Sequence, residues 1–301
     1  MKPEGVEAES YDDDWINAAW GHGANAQLLR AGPIEARPRV QRAIDLLQIG
    51  AHTRVLDIAC GRGEVPAIVC QRGGTGIGLD YAQAACAFTQ RVLAVHDPDG
   101  TRSGLVRADA TALPFASGTF DRVSMLDIIE HLYPPQLEAM FHEVARVLAP
   151  GGYAVLHTLP NRWVYNITYP LLHRLYPKVP LDPRGPFERK IHINEQTLPD
   201  LHALLARVGL KQHLWLEQHI PAQARWNAQR RDRHADTRDA VYPLLAGWAG
   251  RLFELLSITP AKLLLCNDIF GVLWKDDAAV LPRTPLAVTE RLTVRLAGGR
   301  A

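Results

Sequence analysis

The 301-residue chain is 47% hydrophobic and 22% charged, the composition of an ordinary globular protein with one large domain or two small ones. A formal net charge of +1 supplies no global field for nucleic acid, which argues against gripping DNA as its main work. Cys60, Cys70, Cys86 and Cys266 form no C-x-x-C pair and read as free thiols of a reducing compartment.

The opening MKPEGVEAESYDDDW has no apolar core of a secretory signal. No run reaches the roughly 18 apolar residues that a spanning helix needs, so the expected location is the cytoplasm. Residues 1–33 read as an N-terminal cap. From residue 34 the pattern becomes regular: Ala36–Ile49 has helical periodicity and stops at Gly50. Strands are then expected at 53–59, 76–80, 105–108, 120–126 and 153–159, separated by helices at 64–72, 83–95 and 135–148. Near-continuous apolar strands alternating with helices imply a parallel sheet covered on both faces. Right-handed crossovers make this a doubly wound α/β fold that binds its ligand at the carboxyl ends of the strands. A helix at 198–208 and strands at 210–217 and 268–274 complete a mostly parallel, seven-stranded sheet. Two insertions interrupt it, at 161–190 and 221–262, and a patternless tail follows residue 276.

The glycine turn Val55-Leu-Asp-Ile-Ala-Cys-Gly-Arg-Gly-Glu64 is not a dinucleotide fingerprint, because Ala67 stands near the place of the third glycine. Nor is it a P-loop, which needs Gly-Lys-Ser/Thr. Glu64 occupies the first turn of the following helix, where its charge would repel a phosphate. The turn suits a ligand without one, such as S-adenosylmethionine. Asp57 can face the ammonium of that ligand's amino-acid tail, and Gly61 and Gly63 let the backbone come close. Asp80, 17 positions after Gly63, is placed for the two ribose hydroxyls. Tyr81 can pack on adenine, and Asp109 can accept from its amino group.

Taken together, D-x-A-C-G-x-G at Asp57–Gly63, G-L-D at Gly78–Asp80, D-A-x-x-L-P-F at Asp109–Phe115, E-H-L at Glu130–Leu132 and R-V-L-x-P-G-G at Arg146–Gly152 resemble a class I S-adenosylmethionine-dependent methyltransferase. The resemblance implies a Rossmann-like methyltransferase fold. It also implies a cofactor site at Asp57, Ala59, Gly61, Gly63, Asp80, Tyr81, Asp109, Ala110, Leu126 and Asp127, with Asp109–Phe115 along the adenine and Leu126–Asp127 beside the methionine part.

Methyl transfer from sulfonium is an in-line displacement, helped by positioning and, for an oxygen or nitrogen acceptor, by a base. His131 is the first candidate base and His192 the second. A helical turn would bring Asp127 onto the face of Glu130 and His131 at i+3 and i+4. Asp127-x-x-Glu130-His131 with a distant His192 also resembles the metal site of small-RNA 2′-O-methyltransferases and some quinone-pathway O-methyltransferases. Those RNA enzymes carry Glu at the position of Asp127. No metal is the first expectation, and these four residues are the set that would hold one.

The aromatic, proline-rich insertion 161–190 reads as a lid over the pocket. Within the second insertion, 225–239 mixes arginines with aspartates and reads as a solvated face. Val241, Leu244, Leu245, Trp248, Leu252, Leu255 and Leu256 form a helical apolar stripe, expected to pack on the domain or a partner subunit, with lipid-interface contact as the other option. The expected activity is methylation of a small organic acceptor, preferably at oxygen: a secondary metabolite, a quinone-like phenol, or a sugar or lipid headgroup. RNA 2′-O-methylation with a divalent metal and a non-catalytic cofactor-binding scaffold are the alternatives. A monomer or homodimer is expected.

Overall fold

Seven strands form one sheet in the order β3-β2-β1-β4-β5-β7-β6. They are β1 (Arg54–Ile58), β2 (Thr75–Asp80), β3 (Ser103–Arg107), β4 (Phe120–Leu126), β5 (Leu148–Thr158), β6 (Lys211–Glu217) and β7 (Asp268–Trp274). The first five run parallel, and β7 runs antiparallel to both β5 and β6. The computed structural model describes residues 6–175, 177, 179–219, 221–222 and 248–298. Its helices are α1 (Asp13–Trp20), α2 (His22–Leu28), α3 (Pro38–Leu47), α4 (Glu64–Gln71), α5 (Gln83–His96), α6 (Pro134–Val147), α7 (Tyr169–Leu175), α8 (Pro186–Ile191), α9 (Leu198–Val208), α10 (Trp248–Leu256), α11 (Lys262–Leu265) and α12 (Val288–Leu296).

Successive strand residues point to opposite faces, and both faces are buried. Leu56, Ile58, Val123 and Met125 meet Phe141 and Val144 of α6 and Leu201 and Leu205 of α9. On the other face Val55, Tyr153, Trp215 and Phe270 meet Ile44 and Leu47 of α3 and Val65 and Val69 of α4. Each fully buried side chain of this kind contributes about 1.5–3 kcal/mol. The N-terminal helices add a smaller cluster, with Ile16 and Leu28 against Phe88 and Val92 of α5.

Strand order reverses between β1 and β4, so the chain leaves their C-terminal ends in opposite directions and opens a crevice there. Both ends carry a non-glycine residue in the left-handed region, Ala59 at φ 59° and Asp127 at φ 58°. Such backbone strain gathers where a site is built. Gly63, at φ +74°, lies so close to α5 that a Cβ there would stand 2.7 Å from Thr89 Cγ2.

Several sequence expectations shift. Helix α3 starts at Pro38 rather than Ala36, since proline favours the first helical position. Strand β5 starts at Leu148, and Pro150-Gly151-Gly152 lie inside its irregular first half, where the register against β4 shifts. The tail is not patternless. It carries α12, whose buried Glu290 accepts from Leu216 N at 3.0 Å and pairs with Lys262 at 2.5 Å, while Val294 joins the core. The apolar stripe does not pack on the domain where it is described: Trp248, Leu252, Leu255 and Leu256 of α10 are exposed, while Gly250 faces inward. The stripe's 241–247 and the mixed-charge run 225–239 lie outside the described residues. Among the described residues no helix is long and apolar enough to cross a membrane.

Candidate active site

The crevice is built first from the turn after β1. Asp80, buried at the end of β2, accepts from Gly61 N at 3.0 Å and from Ala82 N at 2.9 Å. Burial raises its pKa, against the pull of these backbone donors. Each carboxylate oxygen keeps a second lone pair for a ligand hydroxyl. Asp57 is buried beneath the turn and accepts from Ser124 Oγ at 2.6 Å. Burial pushes its pKa up to about 7, with Ser124 opposing the shift and Asp80 adding to it. Glu64 does start α4, but Arg62 meets its charge at 2.9 Å. The local field at this helix end is therefore that of an ion pair, and repulsion of phosphate by Glu64 loses its force. Arg62 also donates to Asn25 Oδ1 at 3.1 Å, tying α2 to the glycine turn.

The segment Asp109–Phe115 is held from beneath. Asp109 Oδ1 accepts from Thr111 N and Oγ1, both at 2.8 Å. Arg146 donates to the carbonyls of Phe115 at 2.6 Å and Leu113 at 3.0 Å, and Glu143 accepts from Leu113 N at 2.7 Å. This explains why D-A-x-x-L-P-F and R-V-L occur together: the arginine of the second motif pins the backbone of the first. Ala110 is buried there, and Leu126 packs partly buried against the β1–α3 side. Tyr81 is 38% exposed, and its hydroxyl donates to Val6 O at 3.0 Å. It meets the N-terminal segment as well as the crevice.

Past β4 the two candidate groups separate. The turn is not an α-helix that aligns Asp127 with Glu130 and His131, because Asp127 is left-handed and only Ile129–His131 form a short 3-10 turn. Asp127 instead pairs with Arg39 of α3 at 2.8 Å and with His157 Nδ1 of β5 at 2.5 Å. His157 Nε2 in turn meets Asp268 Oδ1 at 2.9 Å. Burial disfavours the charge on His157, but Asp127 and Asp268 overcome it and raise the pKa to about 9. Burial likewise opposes ionisation of Asp127, and Arg39 and His157 outweigh it, holding the carboxyl well below the usual range. The result is a charged chain, Arg39–Asp127–His157–Asp268, along one side of the crevice.

Glu130, His131 and His192 form the other group. Asn194 brings the distant histidine in: its N donates to Glu130 O at 3.0 Å and its Nδ2 to Leu132 O at 2.9 Å. The rings of His131 and His192 lie 5.0 Å apart, edge to face. Burial, and then His192, lower the pKa of His131 to about 3, so its imidazole is neutral at physiological pH. Tyr11 OH stands 3.1 Å from His131 Nδ1, and the Tyr11 ring packs edge-on against Trp15 and Tyr81. Glu130 is buried with Thr158 Oγ1 donating to it at 2.7 Å. Burial and the nearby charge of Asp127 raise its pKa. One ligand atom from each of Glu130, His131 and His192 lies within 4.8 Å of the others, a donor set that suits a divalent transition ion. Asp127 is not part of this cluster. A cavity of about 270 Å³ opens beside His192, lined by Arg162, Asn166, Arg184 and Glu195.

Residues 55–152 match the family model described as a methyltransferase domain. These residues therefore carry a methyltransferase domain. The demethylmenaquinone methyltransferase of Thermus thermophilus is 34% identical over 122 residues, 40% of this chain and 53% of that one. The fatty-acid O-methyltransferase of Mycolicibacterium smegmatis is 37% identical over 102 residues, 33% of this chain and 35% of that one. The chain spans about half the length of the curated relatives it matches, or less. Among solved structures, phosphoethanolamine N-methyltransferase 2 of Haemonchus contortus, in complex with phosphomonomethylethanolamine and S-adenosylhomocysteine, aligns with a TM-score of 0.57. That alignment has 16% identity and covers 90% of this chain and 60% of that one, a likeness of fold alone.

Sequence reasoning had no hold on Tyr11, Arg39, His157 or Asp268. Tyr11 precedes Asp12, whose side chain caps α1 by accepting from Trp15 N at 2.8 Å, and the stretch YDDDW reads only as a helix start. His157 did leave a signal: an imidazole inside an otherwise apolar strand needs partners when buried. The first residue of β7, Asp268, supplies one of them.

Proposed function

We propose that the chain transfers the methyl group of S-adenosylmethionine to an oxygen of a small organic acceptor. That acceptor is a quinone-like phenol or other secondary metabolite, or a sugar or lipid headgroup. Asp80 holds the ribose hydroxyls, Asp57 faces the ammonium, Asp109 and Ala110 line the adenine, and Leu126 and Asp127 border the methionine part. The names of the relatives, which include a quinone and a fatty-acid methyltransferase, support an acceptor with a large apolar body.

The observation that carries the reading is the Tyr11–His131 contact at the crevice edge, beside His192. An imidazole that donates Nδ1–H to the tyrosine oxygen leaves the Nε2 lone pair to take a proton. The acceptor oxygen attacks the methyl carbon, the carbon–sulfur bond breaks, and its electron pair stays on sulfur as S-adenosylhomocysteine. The acceptor's hydroxyl proton passes to His131 Nε2. A base tuned near the working pH contributes about 10²–10⁴-fold. Burial and His192 make His131 a weaker base than that, so its share lies at the low end and alignment of the reactants contributes the larger part of the barrier reduction.

The cluster of Glu130, His131 and His192 favours a second reading, in which a divalent ion held by these three acidifies the acceptor hydroxyl. RNA as the acceptor asks for a basic groove. The arginines of the cavity are instead paired, Arg162 with Asp200, and Arg184 with Asp182 and Glu195 at 2.9 Å and 2.7 Å. The test is transfer of labelled methyl to a panel of quinols, phenols, fatty acids and sugars, with and without EDTA. Transfer that resists EDTA but is lost in His131→Ala supports the base. Transfer restored only by a divalent ion supports the metal. No binding of S-adenosylmethionine by calorimetry would overturn both.

A further inference from the structure

We infer that the exposed apolar faces of α7 and α10 dock the protein on the surface of an anionic lipid bilayer. A surface helix ordinarily turns its apolar stripe towards the core. These two helices do the opposite. In α7, Leu171, Leu172 and Leu175 are exposed, Leu175 to 73%, and no residue of the helix is buried. In α10, Trp248 is 79% exposed, and Leu252, Leu255 and Leu256 continue the stripe at helical spacing.

The two segments belong to one lobe. Thr168, just before α7, donates to Leu264 O at 2.5 Å, and Asn161 donates to the carbonyls of Leu263 and Cys266, both at 3.1 Å. An exposed apolar surface of this extent marks an interaction site.

Charge selects the occupant. Residues 161–190 carry six Lys or Arg against two Asp or Glu, in a chain whose net charge is only +1. Part of it is met in place, Arg162 by Asp200, Arg184 by Asp182 and Glu195, and Arg189 by Asp182 at 3.7 Å, and Arg174, Lys190 and Arg251 bring positive charge to the exposed face. Arg174 adjoins Leu175, Arg251 adjoins Leu252, and Arg189 and Lys190 follow on the same lobe; all four are exposed. Leucine and tryptophan inserted among acyl chains, with arginine heads at the phosphate level, is the arrangement of an interfacial helix. A second copy of the chain is the poorer partner. A two-fold dimer through this patch would set it against itself, and its arginines would repel. The inference concerns a surface rather than the crevice, so it stands or falls without regard to methyl transfer.

The experiment is sedimentation of the full chain with vesicles of phosphatidylcholine alone or of phosphatidylcholine with phosphatidylglycerol. It compares wild type with Leu171→Asp/Leu175→Asp and Leu252→Asp/Leu255→Asp. Wild type is expected to bind the anionic vesicles and to bind neutral ones weakly. Each double variant loses about tenfold or more in vesicle affinity, while its melting temperature and affinity for S-adenosylmethionine stay unchanged. Three results would overturn the inference. They are no binding to anionic vesicles, equal binding by the variants, and a wild-type dimer in ultracentrifugation that the variants convert to monomer. A large fall in melting temperature in either variant would also overturn it, because the face would then be covered by the chain itself.

Discussion

His157, buried, and His131, half-buried, sit on two sides of one crevice and hold different charge states. His157 lies between two carboxylates and its pKa is raised to about 9. Burial, and then the facing imidazole of His192, lower the pKa of His131 to about 3. Burial alone would neutralise both, so the partners decide. One side of the crevice is an ion-paired scaffold, and the other is a neutral set of rings able to take a proton.

The largest effect is expected at His157. His157→Gln removes the cation between Asp127 and Asp268 and leaves the buried Asp268 short of a partner, while the half-buried Asp127 keeps Arg39, a loss expected at about 3 kcal/mol. Chemical denaturation at neutral pH measures it, and a loss below 1 kcal/mol, roughly the worth of an exposed pair, would mean that the chain of charges is not structural. On the other side, His131→Ala should cut transfer by about 10²-fold, the low end for a base because its pKa is held down, and leave calorimetric affinity for the cofactor intact.

The pH dependence sharpens the contrast. The pKa of His157 in the fold stands above its ordinary value of 6.5, so the folded state holds a proton that the unfolded state has released between those values. The stability that His157 gives over His157→Gln is therefore complete below pH 6.5 and is lost as pH rises through about 9. Denaturation of both proteins across that window would show the gap closing, whereas a constant gap would make His157 a packing residue only. The smallest effect belongs to Tyr11→Phe. It removes one hydrogen bond, worth about 1 kcal/mol or roughly fivefold, and should lower kcat while leaving the fold's melting temperature unchanged.

The order and kind of the strands were legible because both periodicities are strong: apolar strands buried on both faces, and helices such as α9 with Thr197 accepting from Asp200 N and Gly209 closing the end. The glycine turn and Asp80 were legible for a different reason. Their backbone demands, a left-handed Gly63 and a carboxylate within reach of Gly61 N, leave few residue types. The partners of Asp127 could not be read in the same way. Arg39, His157 and Asp268 come from α3, β5 and β7, and only the assembled sheet brings them together. Tyr11 reaches His131 across 120 positions of sequence, which no local pattern reports. The outward stripe of α10 has the periodicity of a packed helix, and periodicity does not say which way a face points.

The register of the last two strands has one more consequence. Glu217 and Asp268 are partners across the β6–β7 ladder, so everything between them is, topologically, one long hairpin loop. Its two ends meet within the same ladder, and its length and chemistry can vary without moving Asp268 or the histidine it holds. A descendant could exchange the outer part of this connection for one suited to a different surface and inherit the crevice between β1 and β4 unaltered.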